Sequence, residues 1–122
     1  MLSVAFFVND KNKSSSEVVI KGDVTMRQRI ALLKGSIIDF IMKNKSVFRG
    51  YDRQSLSQKS LETLGTILIR EGGLESFTLL NRLSVLDKIY RGDITEPSKD
   101  EIKTLDLVWE IFESYRNRKN FR

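Results

Sequence analysis

Two stretches carry residue types able to do chemistry, and that chemistry is electrostatic. The run VTMRQRIALLKGSIIDFIMKNKSVFRGYDRQSLSQKS, residues 24–60, holds Arg27, Arg29, Lys34, Lys43, Lys45, Arg49, Arg53 and Lys59 against Asp39 and Asp52, a net charge of +6. The last eight residues, YRNRKNFR, add Arg116, Arg118, Lys119 and Arg122, net +4, with Tyr115 and Phe121 among them. Cations of this kind neutralise phosphates, and aromatic rings between them can stack on bases. The candidate phosphate contacts are therefore Arg49, Arg53 and Lys59, with Tyr51 placed to stack, and Arg116, Arg118, Lys119 and Arg122 in the tail. Two plainer readings stand beside this one. Isolated surface cations are usually solvated or paired internally, and positive residues at a helix C-terminus complement its dipole. An acidic protein partner would also suit the first stretch.

The rest of the chain has the opposite sign. Residues 61–114 hold eleven acidic and six basic side chains, net −5, while residues 1–23 are balanced. The modest total of +5 over 122 residues thus hides a segmented layout. Such a layout lets positive regions meet negative ones between copies, or reserves one region for phosphates and another for a protein. Either use weakens with salt.

Much else is excluded by what is missing. There is no cysteine, so no disulfide framework. There is no histidine, which removes the commonest general base and the usual zinc ligands. Serines fall in loops and caps, where backbone hydrogen bonding accounts for them. Asp106, Glu110 and Glu113 could share a helix face and hold Mg²⁺, yet a solvated acidic face is far commoner. REGGLES lacks the lysine and spacing of a phosphate-binding loop. RGD at 91–93 reads as a last-turn cation, a helix stop and a loop residue. The sequence therefore predicts no catalytic residue, no metal and no cofactor.

These groups must be positioned by a mainly α fold. The size is that of a single domain, 1–122. LSVAFFV and EVVIK flank the polar NDKNKSSS, predicting an N-terminal β-hairpin over 1–23. A compact bundle of about four helices over 24–114 follows, then the basic C-terminal tail, 115–122. Met26, Ile30, Leu33, Ile37 and Ile41 step by three and four, predicting a central helix over about 25–47. Its cations flank the apolar face on both edges, which suits a buried helix better than a major-groove reader. Ser55-x-x-Gln58 predicts the start of a second helix, with Leu61, Leu64 and Leu68 inward. Gly65 within it implies a close crossing, and TILI leaves a strand as the alternative. Gly72-Gly73 ends that helix. Leu79, Leu83, Leu86 and Tyr90 predict a third helix over about 74–91, with Asp87 and Arg91 as a surface pair. Ser98-x-x-Glu101 caps a fourth, whose inward stripe is Ile102, Leu105, Trp109 and Phe112. Trp109 and Phe112 read as core, or as a face for a partner helix if the first three helices already close a core.

The resulting expectation is a small non-enzymatic protein that associates with nucleic acid, binds phosphates without sequence preference and self-assembles as a homo-oligomer. Its size fits viral, phage or plasmid accessory proteins. The alternative is an adaptor docking on a host or transcription factor through a helix face. The apolar run MLSVAFFVND lacks a preceding basic residue and is too short to span a bilayer, which argues for an intracellular protein with no membrane partner.

Overall fold

A computed structural model describes the backbone of residues 23–118 and the side chains from Met26 to Arg118. The predicted hairpin, but for its last residue, lies outside the described residues, as do Lys119 and Arg122. Five helices occur among the described residues: α1 (Asp23–Lys43), α2 (Arg53–Ser57), α3 (Leu61–Arg70), α4 (Leu79–Arg91) and α5 (Lys99–Arg118). No strand occurs among the described residues.

Helix α1 is central. Its predicted stripe of Met26, Ile30, Leu33, Ile37 and Ile41 is buried, and so are Ile38 and Phe40. It touches each of the other four helices. Its cations do leave by both edges: Lys34 Nζ donates to the Ser57 carbonyl (2.8 Å), and Arg29 pairs with Asp106 of α5 (2.7 Å). The helix stops at Lys43, earlier than predicted, because Asn44 competes with the ladder. The Asn44 side-chain amide donates to the Phe40 carbonyl (2.7 Å), and its backbone N–H takes the tighter i−3 bond to Ile41 (3.1 Å).

Ser55 does not cap the second helix. Asp52 does, accepting from the Ser55 N–H at 2.7 Å, so Ser55 lies inside the short α2. The chain restarts at Ser60, whose extended backbone (φ −71°, ψ 163°) and hydroxyl cap α3 at the Thr63 N–H. TILI is helical. Gly65 is the close crossing that its position implied: a Cβ there would come within 2.4 Å of Leu83 Cδ1 in α4. Beyond the end of α3 the chain turns at Gly73, at φ +73°, and the Gly72 and Leu74 N–H groups both reach back to the Leu68 carbonyl (3.0 Å each).

The third predicted helix begins later than its pattern suggested, at Leu79, because Leu74 is spent as a buried loop anchor. Tyr90 is not inward; it is 43% exposed at the bundle's end, and Ile89 is buried instead. The Asp87–Arg91 surface pair does not form either. Asp87 is buried, and its carboxylate accepts from the Leu61 and Glu62 N–H groups (2.9 and 3.0 Å) at the start of α3. Arg91 turns to Asp93 (2.8 Å), which raises its pKa through that hydrogen bond and charge. The predicted box at α5 is present: the Ser98 N–H donates to Glu101 (2.8 Å), and the Glu101 N–H donates to the Ser98 hydroxyl (3.2 Å).

Contacts fix the helix directions. Along α1 from Arg29 to Phe40, the neighbours on α5 advance from Asp106 to Phe112 and Tyr115, so the two helices run the same way. Tyr115 reaches Gly72, just past the end of α3, which gives α3 the same sense. Helix α4 opposes them: Asp87 meets the start of α3, and Gly92 sits beside Arg27 at the start of α1. The C-termini of α1, α3 and α5 therefore lie at one end.

Asp87 satisfies the Leu61 and Glu62 N–H groups at the start of α3, the Ser60 hydroxyl that of Thr63, and the Ser60 carbonyl takes the first helical bond from Leu64. Truncating a buried acceptor leaves its donors unpaired, at about 1–3 kcal/mol. Asp87→Ala is expected to lower unfolding free energy by about 2–3 kcal/mol in urea titration, and to speed amide exchange at Leu61 and Glu62 above the rest of α3.

Candidate phosphate-contacting end of the bundle

The end where α1, α3 and α5 finish is held by aromatic rings. Phe40 stands edge-on to Phe48, Phe112 and Tyr115, with centroids 5.9, 5.9 and 5.4 Å apart. The Tyr115 phenol donates to the Gly72 carbonyl at 2.7 Å. Gly72 has no room for a side chain: a Cβ would meet the Tyr115 hydroxyl at 2.3 Å and Phe48 Cζ at 2.6 Å. Tyr115 is thus a fully buried core residue inside α5. The predicted tail is helical as far as Arg118, and Tyr115 cannot stack on a base.

Charge collects around this end. Lys43 closes α1, Lys45 and Arg49 lie in the turn after it, Arg53 opens α2, Arg70 closes α3, and Arg116 and Arg118 close α5. Three parallel C-termini present unpaired carbonyls and partial negative charge, so cations are favoured here by about 0.3–1 kcal/mol each. Arg49 Nε and Arg118 Nε each donate to a nearby carbonyl, of Ser46 (3.2 Å) and Ser114 (3.3 Å). The carboxylates of this end are mostly engaged. Asp39 pairs with Arg53 (2.8 Å), Asp52 caps α2, Glu71 accepts from the Tyr51 hydroxyl, and Glu113 pairs with Arg116 (2.5 Å). Among the described residues, Lys43, Lys45, Arg49, Arg70 and Arg118 have no carboxylate partner, and Glu75 in the α3–α4 loop has no cation.

The predicted site residues are thus only partly brought together. Arg49 and Arg118 stand exposed at this end. Arg53 is exposed and Arg116 half-buried, but both are paired, and Arg116 also lies 5.0 Å over the Phe112 ring. Tyr51 is half-buried and tied to Glu71; that hydrogen bond, then burial, then the Glu71 charge raise its pKa. Lys59 lies elsewhere, because α2 runs back along α1 from Asp39 to Lys34 and carries Lys59 toward the opposite end. Phe112, 2% exposed, is core and offers nothing to a partner helix, while Trp109 is half-buried against it. Lys43, Lys45 and Arg70 were absent from the expected site. Each closes or follows a helix, a signal that becomes spatial only once the helices are known to be parallel.

Seven cations share this end with five carboxylates, so positive charge is in excess there but interspersed with negative. Arg29–Asp106 joins the basic stretch to the acidic one near the start of the helices, and Arg53 pairs within its own stretch. Arg91 and Asp93 of the RGD tripeptide bind each other. Among the described residues no group of three or more acidic side chains is gathered to hold a metal, and no helix is long and apolar enough to cross a membrane. Comparison with protein-family models, curated proteins and solved structures gives no match.

Burial pushes the Tyr115 phenol up to about 12 from an ordinary value of 10. Its folded pKa is the higher one, so this contribution is fully present below pH 10 and is lost as pH rises through about 12. The shift corresponds to about 2–3 kcal/mol. Urea unfolding followed by Trp109 fluorescence is expected to lose that much more between pH 10 and pH 12 in the native chain than in Tyr115→Phe. Equal losses would show that the phenol does not titrate against the fold.

Proposed function

We propose that this chain is a small non-enzymatic protein that associates with nucleic acid and contacts phosphates without sequence preference through the joint end of α1, α3 and α5. One observation carries the reading: Lys43, Lys45, Arg49, Arg70 and Arg118 share that end with no carboxylate partner, while Asp39 and Glu113 are paired with Arg53 and Arg116. Helix-dipole complementation accounts for part of this charge, and the same cations still project a positive field outward. The flanks are poor for base reading, since Tyr51 is tied to Glu71 and Tyr115 is buried. Lys119 and Arg122 extend the positive charge in sequence. Self-association as a homo-oligomer belongs to the same reading; the opposite end mixes Asp93, Glu96, Asp100 and Glu101 with Arg27, Arg91, Lys99 and Lys103. An adaptor role through the Trp109 face is the weaker reading, because Phe112 does not contribute to an exposed surface.

Anisotropy of a labelled random-sequence duplex tests the reading. Five phosphate contacts predict a slope of about −4 to −5 in log affinity against log salt. Replacing Lys43, Lys45, Arg49 and Arg118 by Gln should bring the slope near −1, at unchanged helical circular dichroism. Lys99→Gln with Lys103→Gln, at the other end, should leave it unchanged. Unaltered anisotropy at low salt would end the proposal. Light scattering after nuclease treatment is expected to give a mass above one chain that falls as salt rises.

A further inference from the structure

The loop from α3 to α4 holds a residue that the charge pattern did not single out. Phe77 is 102% exposed, so its ring touches almost nothing in the fold. The loop departs from Gly72–Gly73, beside Tyr115 and Phe48, and delivers the chain to Leu79, which packs at Gly65. The loop thus leaves α3 at the end where the unpaired cations lie, and Phe77 stands on it two residues before α4 begins. Arg70 precedes it at the close of α3, and Arg118 closes α5. Arg82, on the first turns of α4, is held by the Thr78 hydroxyl (3.2 Å). Leaving a phenyl ring wholly in water costs the burial it forgoes, and Leu74, three residues earlier, shows that this loop can bury an apolar side chain.

A bare aromatic ring beside a positive surface is the combination that holds single strands: cations track the backbone and the ring receives a base. A duplex keeps its bases stacked and offers the ring nothing. Resting on the phosphate reading above, we infer that the ligand class is single-stranded nucleic acid, with Phe77 as the stacking platform. Glu75, two residues earlier on the same loop, is exposed as well.

The test compares a labelled oligothymidylate with a duplex of equal length, at one low salt concentration. The native chain should bind the single strand more tightly. Phe77→Ala and Phe77→Leu should each weaken single-strand binding by about 5- to 150-fold, the range of one base–aromatic stack, and leave duplex binding unchanged. Phe77→Trp should keep or improve it. Equal loss on both ligands, or no loss on the single strand, would overturn the inference and leave the phosphate reading standing. Failure of both ligands to bind the native chain would remove the two together.

Discussion

The Tyr115 phenol on the Gly72 carbonyl, within the ring cluster of Phe40, Phe48 and Phe112, is the constraint from which the rest follows. It binds the last turn of α5 to the exit of α3, while Phe40 brings in the last turns of α1. Three helices are thereby made to end together. Their dipoles add at that end instead of cancelling, and the cations in their last turns become neighbours. A layout that is segmented along the chain is turned into an end with a modest excess of positive charge.

The opposite pole depends on a different device. Leu61, which opens α3, is buried, and its N–H needs an acceptor from the protein. The Asp87 carboxylate supplies the acceptors and places a negative charge at the positive end of the α3 dipole. Gly65, one turn further on, lets α3 and α4 close to a distance that no side chain would allow. Together they fix α4 antiparallel to its three neighbours, and so determine which end is which.

Most helices were legible because the apolar steps are regular. The α1 stripe, the Gly65 crossing, the Gly72–Gly73 stop and the Ser98–Glu101 box are local signals, and each occurs as its spacing implied. The differences arise where a side chain answers to a distant partner. Asp87 sits four residues before Arg91, as a surface pair would, but the start of α3 arrives to claim it. Tyr115 looks like part of a basic tail, although Leu105, Val108, Phe112 and Tyr115 step by three, four and three; the nearby cations hid that continuation. The positive end was half legible. Arg49 and Arg118 were expected; Lys43 and Lys45 belong to the same basic stretch as Arg49, whereas Arg70 joins them only through the parallel course of the helices. Lys59 leaves because α2 doubles back. Phe77 fell within an expected helix, so nothing in the pattern marked its exposure.

The most direct test of a phosphate-binding pole is amide chemical-shift mapping by NMR, with a short oligothymidylate titrated into the isotope-labelled chain at low and then raised salt. Shifts are expected at Lys43 to Arg49, at Arg70 to Thr78 and at Arg116 to Arg118, fading as salt increases, with Asp93 to Lys103 unmoved. Shifts confined to the Asp93–Lys103 end, or none at low salt, would contradict it.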